Sequence, residues 1–90
     1  MNKTMVTKIT TTNGEFYADN SVGNVLEHLK TRPQWLAFYR LTKVSVPYGN
    51  FPNIGFRTRF RISNRVAIKS SKIVSICDMG EYEVVDSNEA

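Results

Sequence analysis

Phe56-Arg57-Thr58-Arg59-Phe60-Arg61-Ile62 alternates strictly: three of its seven residues are arginine, and each stands between apolar or small neighbours. Period two belongs to a half-buried strand, because successive side chains leave opposite faces of the pleat. Phe56, Thr58, Phe60 and Ile62 are predicted to face a core, and Arg57, Arg59 and Arg61 to face away from it. Ser63-Asn64 reads as a turn. Arg65-Val66-Ala67-Ile68-Lys69 then repeats the alternation with Val66 and Ile68 inward. Ser70-Ser71 interrupts it, and Lys72-Ile73-Val74-Ser75-Ile76 reads as a further strand. Met79-Gly80 is read as turning the chain into a short edge strand at Tyr82-Glu83-Val84-Val85.

Upstream, the threonine-rich stretch Val6 to Thr11 has β-type composition. It runs into Asn13-Gly14, a strong hairpin signal, and Glu15 to Ala18 is the expected return strand. Asp19-Asn20-Ser21 supplies helix N-cap residues. Val22, Val25, Leu26 and Leu29 follow at the spacing of one helical face. The helix should end at Arg32-Pro33, since a residue before proline avoids the α region. Trp35 to Val46 reads as a strand, with continuation of the helix through Tyr39 as the alternative. Pro47 to Gly55, with its prolines, glycines and asparagines, reads as a loop. These pieces predict an α+β, β-rich fold: a small curved antiparallel sheet or partly open barrel of five to six strands, with one short helix after the first hairpin. Phe56, Phe60, Ile62, Val66, Ile68, Val25 and Leu26 are expected to share one core. Ninety residues make one domain, assigned to residues 1–85, with a frayed acidic tail at 86–90.

The stretch Arg61-Ile62-Ser63-Asn64-Arg65-Val66-Ala67-Ile68-Lys69-Ser70-Ser71-Lys72-Ile73-Val74-Ser75-Ile76 resembles the closing strands of small Sm-like and SH3-like barrels. It is also faintly similar to the end of LytTR DNA-binding domains. The Sm glycine and aspartate signatures are missing upstream, so the resemblance implies a small barrel and no particular activity. The length and the polar, threonine-rich, basic character also resemble a bacteriophage accessory protein.

Charge is distributed unevenly. Between His28 and Cys77 stand ten basic residues and no acidic one, whereas Asp78 to Ala90 holds five acidic residues and no basic one. A block of one sign attracts partners of the other sign, although the acidic end could also fold back onto it. Arg57, Arg59 and Arg61 would form a ladder with side chains about 6.6 Å apart on one face. Arg65 and Lys69 would extend it sideways from a neighbouring strand. Guanidinium forks suit phosphate and carboxylate alike. Tyr48 and Phe51, in the loop leading into the ladder, could stack on bases or anchor a protein partner.

Catalytic constellations are not legible. His28, the one histidine, sits in the helix, and Ser63, Ser70, Ser71 and Ser75 have no histidine near them in sequence. Cys77, the one cysteine, excludes an internal disulfide and reads as a half-buried, inert thiol. No phosphate loop, metal-ligand spacing or cofactor motif is present, so neither enzyme activity nor a cofactor is expected. No signal peptide or apolar run of membrane-spanning length is seen. The expected location is therefore the cytoplasm, that of the host if the chain is phage-encoded. The reading that results is a binding module for an anionic partner. Nucleic acid comes first, bound through Arg57, Arg59, Arg61, Arg65 and Lys69 with Tyr48 and Phe51. The alternatives are an inhibitor of the anti-defence or anti-CRISPR type docking on an acidic host-protein surface, and a sponge for a phosphorylated signal molecule. A homodimer is compatible with each.

Overall fold

Two hydrophobic clusters organise the chain in the computed structural model, which describes residues 2–85. The proposed tail at 86–90 lies outside the described residues. The elements are β1 (Asn2–Thr11), β2 (Gly14–Asp19), α1 (Val22–Thr31), β3 (Trp35–Tyr48), β4 (Gly55–Lys69), a 3₁₀ turn at Ser70–Lys72, and β5 (Ile73–Val85). The class is thus β-rich α+β, with five strands in one sheet and one helix. Pairing passes from β1 through β2, β3 and β4 to β5, and β5 also pairs with β1. The sheet is not wholly antiparallel: β4 and β5 run parallel, through Phe60–Val84 and Arg61–Val85.

Two expected turns are not there. Ser63-Asn64 lies inside a continuous β4, and Met79-Gly80 inside a continuous β5. Both coincide with register shifts. Tyr39 to Leu41 on β3 spans the same ladder as Arg65 to Ile62 on β4, so β4 carries one extra residue. Val6 to Thr7 on β1 likewise faces Gly80 to Asp78 on β5. An inserted residue bends a strand without ending it. The core face changes phase on the partner strands at the same places. On β3 the buried residues change from Leu36 and Phe38 to Leu41, and on β1 from Val6 to Thr7 and Ile9. The buried hydroxyl of Thr7 donates to the Asn20 carbonyl at 2.7 Å, and that of Thr11 to the Gly14 carbonyl at 2.8 Å. Both polar groups are therefore satisfied.

The first hairpin turns at Thr12-Asn13, and only Gly14, at φ 133°, has the positive φ expected of both Asn13 and Gly14. Ser21 caps α1 as its side chain predicts, accepting from the Asn24 amide at 3.2 Å. Ser21→Ala should cost about 1 kcal/mol, readable as a lowered thermal midpoint with unchanged helix content. No loss of stability would mean that the cap bond is not maintained in solution.

The expected single core is divided. Ile9, Ala18, Val25, Leu36 and Phe38 form one cluster, with Val66, Ile68 and Leu29 packed against it. Val6, Leu41 and Phe60 form the other, with Tyr17, Met79 and Tyr82 around them. Phe56, Leu26 and Ile62 are exposed, contrary to expectation. Leu26 sits on the flank of a short helix whose only buried residue is Val25. Phe56 lies on a part of β4 that no third strand covers. Cys77 is exposed rather than half-buried.

Candidate nucleic-acid interface

Beyond the body, β3 and β4 continue alone. Among the described residues, β2 pairs with β3 at Leu41 and Arg40 alone, and β5 pairs with β4 at Phe60 and Arg61 alone. From Thr42 to Arg59 the two strands are joined to each other and, among the described residues, to no third strand, through Val44–Arg59, Ser45–Thr58, Val46–Arg57, Pro47–Phe56 and Tyr48–Gly55. Seven residues of strand, Thr42 to Tyr48, reach about 23 Å. The described structure is accordingly elongated, measuring 50 × 22 × 20 Å.

This arm carries Lys43, Arg57 and Arg59, with Arg61 at its root, and no carboxylate of its own. Its tip is the segment Gly49 to Ile54, with a cis bond between Phe51 and Pro52. Gly49, at φ 91°, is required there: a Cβ would meet the Asn53 carbonyl oxygen at 2.6 Å. The Asn53 amide closes the turn by donating to the Asn50 carbonyl at 2.7 Å. Tyr48 is held rather than free. Its ring lies so close over Gly55 that a Cβ there would be 2.9 Å away, and the Arg57 guanidinium stands 4.8 Å from the ring centroid. Phe51 is 86% exposed, and Phe56 and Ile54 are exposed beside it.

A carboxylate from β5 reaches the arm. Glu83 of β5 places Oε2 2.7 Å from Arg59 Nε and Oε1 3.9 Å from Arg57 Nη1. Within the described residues, the acidic end therefore folds onto the basic block through Glu83. Arg59 is mostly buried by this contact, whereas Arg57 stays about half exposed. Arg59 and Arg61 border a hollow of about 290 Å³ with Val44, Val46 and Val85.

The expected ladder is thus split. Arg57, Arg59 and Arg61 lie along the arm that carries Tyr48 and Phe51, with Arg57 against the Tyr48 ring and Phe51 at the far tip. Arg65 and Lys69 are not on a neighbouring strand; they continue β4 in the other direction. Arg65 stands over the Tyr39 ring at 5.9 Å, and Lys69 lies opposite Trp35. Lys69 is twelve residues from Arg57 along one strand, about 40 Å, so the two do not share a contact surface. Lys43, which the sequence reading passed over, joins the arm's root with its ammonium 5.3 Å from the Tyr17 ring. Its place opposite Phe60 across the β3–β4 ladder was the signal that sequence alone could not supply. Among the described residues no helix is long and apolar enough to cross a membrane, and no cluster of three candidate metal ligands occurs. No protein family, curated protein or solved structure matches the chain.

Proposed function

We propose that this chain is a non-catalytic nucleic-acid-binding module, a small barrel left partly open at the short β4–β5 seam, which reaches its ligand with the β3–β4 arm. The observation that carries this reading is the unflanked two-stranded ribbon, basic along its length and tipped by exposed aromatic residues. A two-stranded ribbon fits the duplex major groove. Arg57 and Arg61 would engage phosphates, and Phe51 would stack on an unpaired base or wedge into a base step. The exposed apolar group Phe51, Ile54 and Phe56 favours a second reading, docking on an acidic protein surface, where such side chains serve as anchors.

Affinity for short single- and double-stranded oligonucleotides, measured across a salt series, separates the two. Phosphate binding should give a log–log slope near −0.9 per phosphate neutralised on duplex DNA. Arg57→Ala and Arg61→Ala should each flatten it by about one. For protein docking, Phe51→Ala would weaken binding more than any single arginine substitution, and no oligonucleotide would bind. A folded protein that binds no DNA or RNA even at low salt would eliminate the nucleic-acid reading.

A further inference from the structure

At the end of the molecule away from the arm, Trp35 stands where three hollows meet. It is half exposed, and it lines each of them. Their volumes are about 270, 410 and 370 Å³, at the small end of the range for ligand sites. The ionisable groups lining them are His28, Arg32, Lys69 and Lys72, with no carboxylate among the described lining residues. Lys69 is the direct cross-strand neighbour of Trp35, which puts its stem beside the indole. The backbone beneath is tied down on both sides. The Ser70 amide donates to the Gln34 carbonyl at 3.0 Å, and the Thr12 amide to the Lys72 carbonyl at 3.0 Å. The Ser70 hydroxyl also donates to the Pro33 carbonyl.

We propose that this end is a second site, which takes a nucleotide unit: an aromatic base against Trp35, with its phosphate on Lys69 and Lys72. An indole face offers stacking that accepts any base, the ammonium groups suit phosphate, and the side-chain amides of Gln34 and Asn13 line the hollows as groups able to pair with a base edge. A purely apolar ligand would make no use of the charges of Arg32, Lys69 and Lys72. A bare anion would leave the exposed indole unused. The site stands on different residues from the arm and does not rest on it.

Trp35 is the only tryptophan, so its emission reports the site directly when excited at the red edge, where nucleobases are transparent. Titration with AMP and with a short thymidine oligomer should give saturable quenching. Lys69→Ala/Lys72→Ala should weaken it about tenfold or more, and Arg57→Ala should leave it unchanged. Followed by anisotropy of a labelled nucleotide, Trp35→Ala should lose binding by a similar factor while Trp35→Phe retains most of it. Tighter binding of the oligomer than of AMP assigns the site to a nucleic-acid strand, and equal affinity assigns it to a free nucleotide. The proposal is overturned if neither probe gives a saturable response at low salt while circular dichroism shows a folded protein. It is equally overturned if the double-lysine variant binds as wild type, or if inorganic phosphate reproduces the whole effect.

Discussion

Replacing Phe60 by alanine should destabilise the protein by about 3–5 kcal/mol, the usual cost of emptying a fully buried aromatic site. Phe60 is completely buried, with the Tyr82 ring at 5.1 Å edge-on and the Tyr17 ring at 5.3 Å. It also lies on the short described seam to β5, so its loss removes packing where few described ladder pairs join the strands. A small domain commonly has only about 5–15 kcal/mol in total, and urea unfolding of the variant should begin at much lower concentration. Phe56→Ala, four residues away on the exposed arm, should change stability by less than about 0.5 kcal/mol. Equal effects of the two substitutions would mean that the arm packs onto the body in solution.

Glu83→Gln should tighten binding of polyanions, by about tenfold at low salt if the nucleic-acid reading holds. The carboxylate competes with phosphate for Arg59 and Arg57, and its neutral isostere does not. If both guanidinium groups then reach phosphates, the salt slope on duplex DNA should steepen by up to about two. The folding cost should be about 1–3 kcal/mol, because Arg59 is mostly buried and loses its charged partner while the isosteric amide keeps an acceptor oxygen. Calorimetric titration at two ionic strengths measures the gain. Weaker binding by this variant would show that Glu83 aims the arginines at the ligand rather than occupying them.

Local signals were legible where a local cause decides the outcome. Ser21 caps a helix because its hydroxyl reaches an amide three residues on. The alternation through Phe60 marks a strand because one side of it meets a core. What failed depended on distant chain. Ser63-Asn64 has the composition of a turn, but a polar pair fits a bulge equally well, and only the pairing with Tyr39 to Leu41 distinguishes them. Phe56 alternates in phase with Phe60 and is exposed because no third strand lies over it. The grouping of Arg57, Arg59 and Arg61 with Tyr48 and Phe51 was readable from proximity in sequence. Glu83 on Arg59 was not, because 24 residues separate them and a parallel contact brings them together. Arg65 and Lys69 were assigned to the same site only because the bulge was taken for a reversal.

The unflanked ribbon has two free borders, each a row of amide and carbonyl groups able to template another chain. Pro47 removes one donor from that row, and Lys43, Arg57 and Arg59 set like charges where a second arm would approach. The arginines are therefore suited to act as gatekeepers against self-assembly, whether or not they also contact a ligand. Neutralising them all by substitution would leave Val44, Val46, Phe51 and Phe56 on an uncharged ribbon, a seed for aggregation. A sequence that needs a long exposed hairpin has reason to make it basic even before any ligand is considered.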